Sequence, residues 1–358
     1  MSNHRRRKLG RGMSQLVEGS LRSIVAASAQ TPSASAQTPA PAPIATPPET
    51  AQRSPAAPAP HFPSPPIPRP GLPHRADAIA PGDGRGRPVH VVGISSGKGG
   101  TGKSILASNL AVLLAPQRRV TVLDADLGLA NIHILYNLLP EFNASHMIAG
   151  EKRLDEILLQ GPRGVSVIPG GSGIPELANL SDLMFGSLAD GIASLEGSTD
   201  LLLIDAPSGL DRQALTFLLS CDQLLVVTNE DITAMTDAYA VVKTVLTRNP
   251  RAMVALVVNQ ARSYAEGMET FQRVAHVARK FLGHELALGG IIPFDEMVER
   301  SVADRVPVVI GHPDSPAARA LASLAGRVAI FHERVQPGAT PFIARLKGLL
   351  RSMPSGRA

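Results

Sequence analysis

Residues 97–104 read Gly-Lys-Gly-Gly-Thr-Gly-Lys-Ser and satisfy the pattern Gly-x-x-x-x-Gly-Lys-Ser. Glycines at this spacing let backbone N–H groups close around phosphate oxygens. In such a loop Lys103 neutralises phosphate charge, and the hydroxyl of Ser104 can ligate Mg²⁺. The other residues expected to contact the phosphates are Gly97, Gly99, Gly100, Thr101 and Gly102. The stretch therefore predicts a phosphate-binding loop.

The stretch could be a phosphate-binding loop or a glycine-rich turn that binds no ligand, and the sequence on both sides of it distinguishes between these two interpretations. The apolar run His90–Ser95 precedes the loop and predicts a strand, and Lys103–Leu114 after it has the pattern of a helix. A phosphate loop needs this context, because the following helix directs its positive N-terminus at the phosphates. The context favours nucleotide binding over a structural turn.

Short apolar runs alternate with helical patterns through the rest of the chain. Continuous apolar runs rich in β-branched residues are typical of strands that are buried on both faces of a parallel sheet. The predicted strands are Val89–Ile94, Val120–Leu123, Val165–Ile168, Leu201–Ile204, Leu224–Val227, Val254–Val258 and Leu288–Ile292. The predicted crossover helices include Lys103–Leu114, Ala234–Leu246 and Met268–Phe281. This alternation predicts an α/β fold, doubly wound around a mainly parallel sheet.

The charge of the chain is unevenly distributed. Residues 1–87 contain 11 Lys and Arg against 4 Asp and Glu, residues 336–358 contain 4 against none, and residues 88–335 contain 20 against 26. The basic character thus belongs to the two ends, which could seek nucleic acid, an anionic membrane surface or an acidic partner. The acidic middle argues against a fold that coats DNA.

Composition divides the chain into four segments. Residues 1–29 are a basic N-terminal segment, and residues 30–87 hold more than half of the 31 prolines, which predicts a disordered linker. Residues 88–335 are the predicted α/β domain, and residues 336–358 form a C-terminal segment. The sequence has no apolar run of about 20 residues and no secretory signal, so we expect a cytoplasmic protein. Cys221 is the only cysteine, which excludes an internal disulfide and a Cys-based zinc site.

The loop contains a second lysine, Lys98, which has no role in an ordinary phosphate loop. With it, the run 97–104 resembles the deviant phosphate loop of the MinD/ParA family, a resemblance that covers roughly residues 90–330. It implies an ATPase that uses ATP and Mg²⁺ and forms an ATP-bound homodimer, in which Lys98 contacts the partner's phosphates. By the same resemblance Lys98 and Lys103 both take part in catalysis. The alternative for Lys98 is a solvated loop lysine.

Carboxylates follow two of the predicted strands. Asp124 and Asp126 lie just beyond Val120–Leu123, and Asp205 directly follows Leu201–Ile204. Side chains at these points face the crevice at the carboxyl edge of a parallel sheet. The resemblance implies that Asp126 positions the attacking water, that Asp124 supports the Mg²⁺ shell and that Asp205 meets Mg²⁺ through water. Without the phosphate loop, Asp124 and Asp126 could belong to a plain turn.

Other short matches indicate the branch of the family. Asn259 closes a strand where the family reads adenine, although a simple strand-end Asn is an alternative. Four stretches look closer to the flagellar-number regulators called FlhG or FleN, and to MinD, than to plasmid-type ParA: Gly128–Asn131, Ile168–Ser172, Thr236–Ala240 and Gly290–Asp295. Asp237 matches an acidic position on the MinD helix that couples nucleotide state to partner and membrane binding.

Three departures from the family pattern accompany these matches. His133 stands where Asp is common, and Glu230-Asp231 replaces the usual Pro-Glu pair. The N-terminal Asp-Gln-Ala motif through which the flagellar regulators stimulate their GTPase partner is absent from the sequence. A role with that particular GTPase is therefore in doubt.

The two ends of the chain carry further patterns. After Thr340-Pro341, six apolar residues between Phe342 and Met353 fall within one helical arc, and Arg345, Lys347 and Arg351 lie outside it. Such a helix suits reversible insertion at a membrane surface through residues 340–353, as in MinD and FlhG, or packing on the domain. The basic run 5–14 resembles the N-terminus of ParB-type partners and could dock on an ATPase domain or remain a solvated tail.

The leading hypothesis is a slow, partner-stimulated ATPase whose ATP-bound dimer recruits protein partners to the inner face of the cell membrane, regulating flagellum number or placement. One alternative is a ParA-like partitioning ATPase that binds DNA nonspecifically. Another is a MinD-like regulator of the division site. A third is a scaffold or antiactivator that binds ATP without needing to hydrolyse it.

Overall fold

A computed structural model describes residues 89–171, 180–195, 197–333 and 341–352. The predictions made for residues 1–87, for Ser172 and for Met353 lie outside these residues.

The centre of the fold is one sheet of eight strands in the order β3-β4-β2-β5-β1-β6-β7-β8. Its strands are β1 (His90–Ser95), β2 (Val120–Asp124), β3 (Leu159–Gln160), β4 (Ser166–Ile168), β5 (Leu201–Asp205), β6 (Gln223–Thr228), β7 (Met253–Ala261) and β8 (Ala287–Pro293). Every neighbouring pair is parallel except β3 with β4. The predicted mainly parallel, doubly wound α/β fold is confirmed.

The predicted strands agree with the observed ones to within a few residues at their ends. All residues of β1, β2, β5 and β6 are buried, as continuous apolar runs require in the middle of a covered sheet. The short edge strand β3 was not predicted from the sequence. It has only two residues, one of them exposed, so it leaves no apolar pattern to recognise.

Twelve α-helices connect or flank the strands in the described part of the chain. They are α1 (Lys103–Leu114), α2 (Ile132–Leu135), α3 (Ala144–Ile148), α4 (Leu154–Ile157), α5 (Asp182–Ala193), α6 (Arg212–Ser220), α7 (Ile232–Arg248), α8 (Tyr264–Leu282), α9 (Glu296–Asp304), α10 (Val308–Gly311), α11 (Pro316–Glu333) and α12 (Phe342–Ser352). The helices α7 and α8 begin earlier than predicted, directly after Asp231 and Ser263, whose side chains cap their first turns.

Apolar layers cover both faces of the sheet. Val92 and Ile94 of β1 pack in the layer that contains α1 and α11, and Val91 packs in the opposite layer with α5. The side chains of successive strand residues point to opposite faces, so each strand contributes to both layers. This arrangement positions the carboxyl ends of β1, β2 and β5 side by side at one edge of the sheet.

The C-terminal helix α12 packs against α5 and α6. Phe342 and Leu346 are buried there, and Arg345 donates from Nε to the Ser220 carbonyl at 2.8 Å and from Nη2 to Asp222 at 2.5 Å. Of the two alternatives left open by the sequence, the structure shows the helix packed on the domain. Membrane binding by this helix stays a prediction and requires it to leave this position. Within the described ranges, no helix has the length and hydropathy to span a bilayer.

Candidate functional site

The glycine-rich loop 97–104 lies between β1 and α1. Gly102 caps α1 with a left-handed φ of 87°, and a Cβ at this position would lie 2.3 Å from Nδ2 of Asn259. A Cβ on Gly97 would lie 2.3 Å from the backbone of Asp237 in α7. At Gly102 both the left-handed backbone and the close approach favour glycine, whereas at Gly97 the close approach of the α7 backbone alone does so. The N-terminus of α1 opens onto this loop, which suits binding of an anion.

Two carboxylates lie beside each other at the carboxyl edge of the sheet. Asp124 ends β2 and Asp205 ends β5, and these residues are register partners in the parallel pair. Both side chains are buried. One oxygen of Asp124 accepts from the backbone N–H groups of Asn131 and Ile132 at 2.8 and 2.9 Å. Among the described residues, the other Asp124 oxygen and Oδ1 of Asp205 have no hydrogen-bond partner.

Burial changes the acidity of this pair. Burial, followed by the charge of Asp205, raises the pKa of Asp124 well above its usual range. Burial also raises the pKa of Asp205 to about 6, against the opposing effects of a hydrogen bond from Ser104 and the charge of Lys103. Two buried carboxylates with unpaired oxygens are costly unless a cation satisfies them.

These residues fit Mg²⁺. Magnesium prefers oxygen ligands and keeps several waters, so one or two carboxylates, a hydroxyl and phosphate oxygens suffice. Asp124, Asp205 and Ser104 supply the protein's share of such a set. In the described part of the chain, no group of three or more His, Cys, Asp or Glu residues is arranged as a metal site.

Asp126 lies two residues beyond the end of β2 and is half-buried. Burial raises its pKa, while the positive charge of Lys103 lowers it and the negative charge of Asp211 raises it. Asp126 therefore lies within electrostatic range of Lys103 and Asp211. The structure therefore brings together the predicted residues of the loop with all three predicted carboxylates.

Lys98 contacts the start of α7. Its Nζ donates to Asp231 at 2.8 Å and to the Thr233 hydroxyl at 2.9 Å. The hydrogen bond from Lys98 is the main reason that the pKa of Asp231 falls to about 2. Lys98 is thus neither an unpaired solvated lysine nor a ligand of its own loop. Its predicted contact with a partner's phosphates stays a prediction.

Asn259 contacts the phosphate loop from the end of β7. Its Nδ2 donates to the carbonyl of Thr101 at 2.8 Å, and Thr101 is buried. Asn259 therefore supports the loop, whereas its predicted role in reading adenine stays a prediction.

Sequence reasoning missed three polar contributors to this edge of the sheet. Asp231 and Thr233 hold Lys98, and Gln213 contacts the backbone between Asp124 and Asp126. The Asp-x-Thr pattern at the start of α7 signals a helix cap, which accounts for the placement of Asp231 but not for its lysine partner.

Comparisons with known proteins agree with this geometry. The CobQ/CobB/MinD/ParA nucleotide-binding domain matches residues 92–308. The antiactivator FleN of Pseudomonas aeruginosa is 34% identical over 242 residues, which are 67% of this chain and 86% of that protein. The flagellum site-determining protein YlxH of Helicobacter pylori is 33% identical, over 60% of this chain and 73% of that protein.

Solved structures share the fold. The septum site-determining protein MinD of Pyrococcus horikoshii, complexed with Mg-ADP, superposes with a TM-score of 0.57 at 25% identity. The match covers 69% of this chain and all of that one.

Proposed function

Because the chain belongs to the CobQ/CobB/MinD/ParA nucleotide-binding family, we propose that its ATP cycle switches it between a single chain and a homodimer that recruits protein partners at a membrane surface. The protein is an ATPase whose cofactors are ATP and Mg²⁺. The observation that carries the proposal is the pair of buried carboxylates, Asp124 and Asp205, beside the glycine-rich loop.

Hydrolysis of a phosphoanhydride needs an aligned water and fixed positive charge more than covalent help from the protein. Lys103 and the backbone of residues 97–104 hold the phosphates. Ser104, Asp124 and Asp205 would hold Mg²⁺, which would offset phosphate charge when bound. Asp126 accepts a hydrogen bond from the attacking water and orients it toward the γ-phosphate.

The switch depends on an exchange of partners by Lys98. In the single chain its ammonium is held by Asp231 and Thr233 of the same chain, and the side chain is 45% exposed. A second chain that brings a nucleotide to this surface offers phosphate oxygens in place of the Asp231 carboxylate. Lys98 then contributes positive charge to hydrolysis in the partner.

Size measurements in the presence of ATP test the switch. Asp126→Ala should bind ATP without hydrolysing it and should accumulate as a dimer in size-exclusion chromatography with light scattering. The double variant Lys98→Ala/Asp126→Ala should remain a single chain at the same concentrations. If the double variant forms dimers as readily as Asp126→Ala, the proposed role of Lys98 is wrong.

The cellular role proposed is regulation of flagellum number or placement, supported by the similarity to FleN and YlxH. Membrane recruitment would use α12 after release from α5 and α6. One short amphipathic helix binds weakly, but two in a dimer bind more strongly because the second contact is intramolecular. Counting flagella in cells that lack the gene, or that carry Lys98→Ala, tests this role. An unchanged count together with salt-sensitive, ATP-dependent DNA binding would favour a partitioning function instead.

A further inference from the structure

The backbone of Ala125, between Asp124 and Asp126, is hydrogen-bonded through both its N–H and its carbonyl. Ala125, the residue between these two carboxylates, is fully buried. Its N–H donates to the backbone carbonyl of Asp205 at 3.0 Å, and its carbonyl accepts from Nε2 of Gln213 at 3.4 Å. The first bond joins Ala125 to the neighbouring strand β5, and the second joins it to a side chain in α6.

Gln213 is buried and uses both ends of its carboxamide. While Nε2 donates to Ala125, Oε1 accepts from the backbone N–H of Leu180, just before α5, at 3.5 Å. A second contact joins the same helix ends, because Arg212 forms an ion pair with Asp182. The first turn of α6 is thereby tied to the first turn of α5 and to the turn after β2.

The orientation of the Ala125–Asp126 peptide determines where the Asp126 carboxylate points. The peptide group is planar, so a bond to the Ala125 carbonyl restricts rotation of the whole unit that leads into the Asp126 Cα. Other contacts hold the two ends of this turn, since Asp124 accepts from Asn131 and Ile132. For the Ala125 carbonyl itself, the contact is Gln213.

We infer that Gln213 is a positioning residue for Asp126, which it aligns by holding the carbonyl of the preceding peptide. The inference rests on the proposed role of Asp126 in orienting the attacking water. Among the described residues, the Gln213 side chain is hydrogen-bonded to Leu180 and Ala125 and not to residues 97–104, so nucleotide binding should not depend on it. Its loss should therefore lower kcat and leave the KM for ATP nearly unchanged, because a small misplacement of an aligning group slows the chemical step.

The test compares three variants of the full-length protein in steady-state ATP hydrolysis. Gln213→Met keeps the length and burial of the side chain but removes its donor and acceptor. Gln213→Glu keeps the shape of the side chain but places an acceptor where the donor was. This variant tests the inference if the Met variant fails to fold. Ser220→Ala is the matched control, since Ser220 is also buried in α6 and its hydroxyl bonds only within the helix, to Thr216.

We expect kcat to fall about 10- to 100-fold in both Gln213 variants, with a KM for ATP within twofold of the parent protein. Ser220→Ala should keep the parental kcat. A Gln213→Met or Gln213→Glu protein with a kcat within twofold of the parent would overturn the inference. Equal proportional changes of kcat in Gln213→Met and Ser220→Ala would do so as well.

The role of Asp126 is tested separately by the single variant Asp126→Ala. If that variant hydrolyses ATP normally, the proposed function of Asp126 fails together with this inference. If it is inactive while Gln213→Met is normal, only the positioning role of Gln213 fails.

Discussion

Lys98 and Asp231, which lie 133 residues apart in sequence, form a direct ion pair in the single chain, with Nζ 2.8 Å from the carboxylate. The side chains are 45% and 44% exposed, so the pair is accessible to a second molecule. The contact gives the loop lysine a partner in its own chain, which the proposed dimer would have to replace with phosphate.

Asp231→Asn should therefore favour the ATP-bound dimer. Asparagine caps α7 as well as aspartate does but does not hold Lys98 by charge. The effect should be modest, because exposed ion pairs contribute little. We expect the protein concentration at half-maximal dimerisation to fall by a few-fold in an Asp126→Ala background, measured by light scattering. Glu269→Gln removes a similarly exposed ion pair with Arg273 in α8 and should change nothing. A higher protein concentration at half-maximal dimerisation for Asp231→Asn than for the Asp126→Ala background alone would contradict the prediction.

Asp205→Asn should stabilise the nucleotide-free protein at neutral pH. Burial raises the pKa of Asp205 to about 6, from an ordinary value near 4. A carboxyl group with a raised pKa stabilises the fold when protonated, and this stabilisation is lost as the pH rises from about 4 through 6. A tenfold change in proton affinity is worth about 1.4 kcal/mol, so Tm at pH 8 should rise by several degrees in the variant.

The advantage of Asp205→Asn should shrink as the pH falls below 6 and disappear near 4. Mg-ADP should reverse the order at pH 8, because the parent protein gains a cation ligand that the variant lacks. Asp155→Asn, at an exposed position, is the control for the loss of a charge. The same Tm difference at pH 4 and pH 8 would show that titration of Asp205 is not the cause.

Gly102→Ala should weaken nucleotide binding by more than tenfold. The added Cβ would lie 2.3 Å from Asn259 Nδ2 and would also occupy a left-handed backbone position. Gly100→Ala separates these two effects, since Gly100 lies in the same loop with a similar φ of 80° but nothing within 4 Å of an added Cβ. Titration with a fluorescent ADP analogue measures both. Affinity within twofold of the parent in Gly102→Ala would show that the loop tolerates the close approach.

Arg351→Glu should weaken ATP-dependent binding to anionic vesicles. Arg351 is exposed on α12 and forms no hydrogen bond or ion pair with the described residues, so the substitution should leave the packing of Phe342 and Leu346 intact. A basic residue near an anionic surface contributes about 1 kcal/mol, so reversing one charge should cost tenfold or more. Arg300→Glu makes the same charge change at an exposed position of α9 and is the control. Equal cosedimentation of the two variants would argue against membrane contact through α12.

The site was largely predictable because its residues follow local patterns. The loop 97–104 has a diagnostic spacing, and Asp124 and Asp205 each end an apolar run. Parallel strands end at a common edge, so carboxylates at those ends were expected near the loop. Gln213 had no comparable signal, since a single glutamine in an apolar helix gives no indication of which distant carbonyl it meets.

The strand–loop–helix unit, the doubly wound architecture and the position of Asp124, Asp126 and Asp205 at strand ends all follow from periodicity and glycine spacing in the sequence. Neither periodicity nor spacing indicates that β2 pairs with β5, that Lys98 contacts Asp231 or that α12 packs on α5 and α6; these contacts are seen in the folded chain. An apolar helix face is stabilised by any surface that removes it from water. The sequence pattern of such a helix indicates that its apolar face is covered, but the surface that covers it is determined by the packing of the whole chain.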